Sequence, residues 1–321
     1  MRAGRRGLLQ AALALPAMPA LAQAPAWPSR PVRIIIPFTP GGSNDAVGRP
    51  LAERLHARLG QPFVVENRPG AGSAVGVGTV AQSAPDGHTL MVTTSSVAAI
   101  APVQRLSFDP LRDLDGVAFL AKSPLIVLVP PASPLRGIAD LVRLAREKPG
   151  EVTFGSSGPG STTHLATELF ALRAGLRLQH VPYRGTAGAL TDLVAGRIDV
   201  MFTTIASAAG QLRGNLVRLI AWCGEGRPEG TPDAPLVRDA GIDYEAGIWW
   251  GLFAPRGLPP AIHGRLHEVA NEVLVEPAYR RAMQQEGAVT DPVSIEEFRN
   301  RLRREVEAMT DVVRAANVRA D

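Results

Sequence analysis

Ile34-Ile35-Ile36-Pro37-Phe38-Thr39-Pro40-Gly41-Gly42-Ser43-Asn44-Asp45 is the stretch on which the fold turns. It opens on consecutive β-branched residues, passes through a turn rich in glycine and hydroxyls, and closes on residues that start helices. Branching at Cβ favours extended backbone. Glycine lets backbone amides come close to a ligand, and Ser43 or Asn44 can cap the helix that follows. Strand, turn and helix in this order make half of a βαβ unit. The design recurs where Val152-Thr153-Phe154 runs into Gly155-Ser156-Ser157-Gly158-Pro159-Gly160-Ser161-Thr162-Thr163-His164.

Outward from these two turns, short apolar runs alternate with helical stretches along the chain. Residues 32–38, 63–66, 89–94, 125–129, 152–154, 180–181, 199–202, 216–222 and 249–254 read as strands, nearly all leading into a Gly/Ser/Thr turn and a helix. This repetition predicts an α/β fold of mostly parallel sheets with helices on both faces. Between Leu135 and Lys148, Ile138, Leu141, Val142 and Ala145 share one helical face, and Pro149-Gly150 ends the helix. Ser294 and Glu297 have capping-box spacing ahead of a closing helix that runs toward Ala316. Pro50 has no N–H to donate and is expected to bend or delay the first long helix. Turn residues at Ser123-Pro124 and between Gly241 and Ile248 mark two crossings. Residues 25–124 with 246–321 are then one lobe, 125–245 the other, and the crossings a hinge.

The first residues have the pattern of an export leader: Arg2, Arg5 and Arg6, an apolar stretch from Leu8 to Leu21, and the small-residue site Ala22-Gln23-Ala24. Arg5-Arg6-Gly7-Leu8-Leu9 fits both a twin-arginine and an arginine-rich general secretory leader. Cleavage after Ala24 leaves 297 of 321 residues and, with three arginines gone, takes the formal net charge from +4 to +1. Bulk charge therefore points away from nucleic acid. No later run reaches the roughly 18 apolar residues of a membrane span, so the mature chain is expected to be soluble and periplasmic. The single cysteine, Cys223, cannot form an intramolecular disulfide, and beside Leu219-Ile220-Ala221-Trp222 it reads as a buried structural thiol.

Free N–H groups at a helix start, together with the helix dipole, favour an anion. Two such turns facing each other would grip a carboxylate from both sides. Neither turn carries GxxxxGK[ST] or a phosphate-binding lysine. Gly70-Ala71-Gly72-Ser73-Ala74-Val75-Gly76 fails as a dinucleotide fingerprint, since Asn67-Arg68-Pro69 intervenes and the third glycine comes one place late. Pro159 stands where the G-x-S-x-G elbow needs its last glycine. Among six histidines only His263 and His267 have i, i+4 spacing, without the HExxH glutamate, so no metal is expected. His164 reads first as structural support. Asp45, at a helix start, either caps or turns into the cleft to accept a hydrogen bond from an amine or a water.

Several longer segments carry a family likeness. They are Trp27-Pro28-Ser29-Arg30-Pro31-Val32-Arg33, PFTPGGSNDAVGR (37–49), VVENRPGAGSAVG (64–76), APDGHTL (84–90), SSGPGSTTHLATELF (156–170), HVPYRGTAGALTDLVAGRIDVMF (180–202) and WWGLFAPRGLP (249–259). Across essentially the whole mature chain, in order, this resembles the Bug family, the receptors of tripartite tricarboxylate transporters. The resemblance implies a two-lobed periplasmic-binding-protein fold of type II, with a ligand cleft between the lobes. It implies that the loops from Thr39 to Asp45 and from Ser156 to His164 hold a carboxylate, assisted by Thr94-Ser95-Ser96 and Thr203-Thr204. Two departures bear on ligand identity. Many members carry an acid or amide near Thr203-Thr204, and Asn or Gly is common where Pro159 stands. The missing acid weakens an amino-acid reading.

The expected ligand-binding residues are Phe38, Thr39, Pro40, Gly41, Gly42, Ser43 and Asp45 of the first turn, with Ser95 and Ser96. The second turn adds Ser157, Gly158, Gly160, Ser161, Thr162, Thr163 and His164, and Thr203 and Thr204 complete the set. The expected function is capture of a small carboxylate-bearing solute for membrane permease subunits by a monomer without cofactor, metal or catalytic residues. A periplasmic hydrolase or lyase, or a ligand-sensing partner of a sensor protein, on the same scaffold is the alternative.

Overall fold

The computed structural model describes residues 27–316 and 318, so the leader expected at 1–24 lies outside the described residues. The chain runs β1 (Val32–Ile36), α1 (Ser43–Leu59), β2 (Phe63–Asn67), α2 (Ala74–Ala81), β3 (Thr89–Thr94), α3 (Ser96–Val103), the single turn α4 (Pro110–Asp113) and β4 (Leu114–Pro124). It continues through β5 (Ile126–Val129), α5 (Ile138–Glu147), β6 (Thr153–Ser156), α6 (Thr162–Ala174), β7 (Gln179–Pro182), α7 (Thr186–Val194), β8 (Val200–Thr203), α8 (Ile205–Arg213) and β9 (Arg218–Trp222). It ends with β10 (Gly247–Pro255), α9 (Pro260–Val275), α10 (Pro277–Gln285) and α11 (Ile295–Ala316).

Among the described residues two mixed five-stranded sheets form, ordered β2-β1-β3-β10-β4 and β7-β6-β8-β5-β9. Each repeats one plan, in which a single antiparallel strand, β10 or β5, stands between two parallel neighbours. The reason lies in the crossings. β4 and β9 end beside the other sheet, so β5 and β10 start there and must run back, against their new neighbours. The expectation of mostly parallel sheets thus holds except at the two strands by which the chain enters each sheet. Central strands such as β3, β5 and β8 are buried at every position, as strands covered on both faces must be.

Nine of the ten strands coincide with runs read from the sequence; β4 does not. Its sequence, LDGVAFLAKSP, holds Gly116, Lys122 and Ser123, and its pairing with β10 shifts register twice, which blurs any alternation. Pro50 lies within α1, which nevertheless begins at Ser43. Ser294 caps α11, its hydroxyl accepting the Glu297 N–H at 3.1 Å.

The crossing segments are stitched by backbone hydrogen bonds. The Leu125 N–H donates to the Ala246 carbonyl (3.1 Å), the Ala246 N–H to the Cys223 carbonyl (2.8 Å) and the Cys223 N–H to the Leu125 carbonyl (2.8 Å). Cys223 is buried there, and burial pushes its thiol pKa up, away from the reactive thiolate. Met309, Val312 and Val313 of α11 pack against Ala99 and Val103 of α3 and against Leu165 of α6. The closing helix therefore touches both halves of the molecule.

Candidate functional site

In both sheets the parallel strands point their C-terminal ends at the gap between the halves. Each of β1, β3, β6, β7 and β8 leads through a short turn into a helix, so the N-termini of α1, α3, α6, α7 and α8 converge on that gap. Between them lies a cavity of about 20 Å³. Of the expected residues, Phe38, Gly42, Ser43, Ser96, Ser157, Thr162, Thr163, Thr203 and Thr204 line it. So do Asn44 and Thr94, which lie in segments that the resemblance implied, and Thr186, Ser207 and Ile248, which were not among the candidates. The Gly185-Thr186 turn after β7 repeats the glycine-hydroxyl signature and was legible. Ile248, on a crossing strand, carries no such signal.

Hydroxyls join the halves across the gap. The Thr162 hydroxyl meets Ser95 Oγ at 2.8 Å and Ser96 Oγ at 3.2 Å, and the Thr162 N–H donates to Ser96 Oγ at 3.1 Å. The Thr39 N–H donates to the Arg184 carbonyl at 3.2 Å. Ser161 caps α6 by accepting the His164 N–H (3.3 Å), and Thr204 caps α8 by accepting the Ser207 N–H (3.1 Å). Pro40 and Gly41 are exposed at the rim.

No charged side chain lines the cavity, yet two of its buried oxygens, Asn44 Oδ1 and Thr203 Oγ1, have no hydrogen-bond partner. Burying such an atom unpaired costs about 1–3 kcal/mol, so both are poised for a guest or a water. Asp45 is placed elsewhere. Its carboxylate accepts from Arg49 Nε (2.8 Å) and Asn67 Nδ2 (3.3 Å), and the Asn67 amide also donates to the Phe38 carbonyl (3.0 Å). Asp45 therefore braces the first turn from behind.

His164 is also behind the site. Its Nδ1 accepts the Gly160 N–H at 3.1 Å, and its ring stacks on His180 with centroids 3.8 Å apart. His180 stacks in turn on Phe154 (4.9 Å) and meets Ser156 Oγ at 2.6 Å. Burial, aided by the neighbouring His164, pushes the His180 pKa down to about 3, so this imidazole is neutral at physiological pH. The one pair with i, i+4 spacing, His263 and His267, is engaged by the Gly116 and Val117 carbonyls of β4 at 3.0 and 2.8 Å. Among the described residues no cluster of three or more His, Cys, Asp or Glu is placed to hold a metal, and no helix is long and apolar enough to cross a membrane.

Comparison with known proteins gives a consistent picture. The family described as "Tripartite tricarboxylate transporter family receptor" matches residues 47–314. Protein BugT of Bordetella pertussis (strain Tohama I) is 32% identical over 292 residues, which cover 90% of each chain. The solved structure of R. palustris Rpa4515 with adipate superposes at a TM-score of 0.88 and 30% identity, covering 91% of this chain and 99% of that one. MatC (Rpa3494) from Rhodopseudomonas palustris with bound malate superposes at 0.84 and 29% identity, covering 89% and 100%.

Proposed function

Because the chain belongs to the tripartite tricarboxylate transporter family of receptors, the Bug-type solute-binding proteins, we propose that it captures a small carboxylate-bearing solute in the periplasm and delivers it to membrane permease subunits. The observation that carries this reading is the convergence of five helix N-termini on one uncharged, hydroxyl-lined cavity with two unpartnered oxygens. Helix dipoles and N–H groups suit an anion without any arginine. A hydrogen bond to a charged group contributes about 1.5–3 kcal/mol, and several of them reach the roughly −8 kcal/mol of micromolar binding. That the relatives named above hold adipate and malate supports a carboxylate as the guest.

On this reading residues 25–124 with 246–321 form one lobe, 125–245 the other, and the stitched segments at Leu125, Cys223 and Ala246 the hinge. A cavity of about 20 Å³ has room for about one water. The solute therefore enters with the lobes parted and reshapes the cavity as they close. The lining offers hydroxyls, an amide, glycine and apolar groups, a set suited to holding a solute rather than transforming it.

Calorimetric titration of the chain from Pro25 onward with mono-, di- and tricarboxylates tests the proposal. Micromolar binding of at least one is expected. If none binds and mass spectrometry finds no carboxylate co-purifying, the reading is wrong.

A further inference from the structure

Gly70, Ala71, Gly72 and Ser73, the glycine pattern that fails as a nucleotide site, have φ angles of 146°, 45°, 62° and 106°. Glycine takes positive φ freely, but Ala71 and Ser73 carry side chains and are costly there. The Ser73 hydroxyl is also fully buried without a hydrogen-bond partner. So unfavourable a segment persists only where its surroundings hold it.

The surroundings belong to the second half of the molecule. A methyl group on Gly72 would stand 1.8 Å from the Pro159 carbonyl oxygen, and one on Gly158 would stand 3.2 Å from the Gly72 Cα. The Pro159 turn is itself held fast. The Gly158 N–H donates to Ser156 Oγ at 3.1 Å, and the Gly160 N–H to His164 Nδ1 at 3.1 Å. Elsewhere across the gap an added methyl would meet a side chain first: the Thr39 hydroxyl facing Gly185, the Thr186 hydroxyl facing Gly42, Val103 facing Gly160 and Ile205 facing Gly287. Gly72 makes the tightest of these approaches, and there backbone meets backbone and neither side can swing aside.

We infer that Gly72 and Pro159 are the stop on which the two lobes close, so that residue 72 sets solute affinity without touching the solute. The inference rests on the binding function proposed above. It makes Gly72 a positioning residue, and His164 its support on the opposite side through Gly160.

The test compares Gly72→Ala with Gly60→Ala. Gly60 also has a left-handed φ, 74°, but nothing lies within 4 Å of an added methyl, so it reports backbone strain alone. Spin labels at the exposed positions Ala57 and Ala195, as Ala57→Cys and Ala195→Cys, read the distance between lobes, and calorimetry with adipate and malate reads affinity. The wild-type chain and Gly60→Ala are expected to show a short-distance population and equal affinity. Gly72→Ala should keep the long distance, melt cooperatively and bind at least tenfold more weakly. Gly72→Asn, which tolerates left-handed backbone better, serves if alanine prevents folding. The inference is overturned if Gly72→Ala reaches the short distance with affinity within twofold of wild type, or if Gly60→Ala loses as much. If neither adipate nor malate binds but the wild-type chain still closes, the carboxylate assignment fails while the label distances still decide the stop.

Discussion

Asn44 lines the cavity with an unpartnered amide oxygen, while the next residue, Asp45, sends its carboxylate to Arg49 and Asn67. Consecutive helical residues point about 100° apart, so Asn44 can face the guest while Asp45 turns away from it. Charge draws the eye to Asp45 in the sequence, but charge does not report direction. Thr203→Val and Asn44→Ala should each weaken carboxylate binding by about tenfold to a hundredfold, the worth of one hydrogen bond to a charged group, donated by the Thr203 hydroxyl or by the Asn44 Nδ2 N–H, since the Asn44 amide oxygen can only accept. Asp45→Ala should weaken it less, because it acts only through the bracing of the turn. Calorimetry ranks the three, with circular dichroism confirming the fold. An effect of Asp45→Ala larger than that of Asn44→Ala would mean that the carboxylate swings into the cleft when a solute arrives.

At the level of elements, capping chemistry was readable because it is local. Ser294 and Glu297 stand three residues apart, and the Glu297 N–H indeed donates to the Ser294 hydroxyl. Ser294→Ala should lower the unfolding free energy by about 1 kcal/mol, seen as an earlier denaturant midpoint, with solute affinity unchanged because neither Ser294 nor any residue of α11 lines the cavity. Ser161→Ala is a different case. Its hydroxyl caps α6 at the His164 N–H and meets the Thr163 hydroxyl at 3.1 Å, so the same denaturation should show a similar loss and calorimetry a weakened affinity. β4 was not legible. Its alternation is broken by register shifts against β10, and a strand that depends on a partner more than a hundred residues away has little local signature.

Across the whole molecule, acid should loosen the second half. His180 binds its proton near pH 6.5 when the chain is unfolded and only near pH 3 when folded. Between these values the unfolded chain holds more protons, so this contribution is fully present above pH 6.5 and is lost as pH falls from 6.5 toward 3. The limiting slope of about 1.4 kcal/mol per pH unit is reduced by the partial exposure of the ring. A loss of about 1 kcal/mol between pH 7 and pH 5 is expected from this group. Denaturant titrations at the two pH values should show it, and His180→Gln should flatten the difference. An equal pH dependence in the variant would assign the acid sensitivity to other groups.

The sequence by itself determined the α/β plan, nine of the strands and the glycine-hydroxyl turns, because backbone preference, side-chain periodicity and capping act between residues a few positions apart. Only the tertiary structure decided which oxygen atoms face the cavity, that Ile248 joins its wall, and that Gly72 meets Pro159. Those facts depend on how two separately formed sheets are set across a hinge, and no local pattern in the chain encodes that setting.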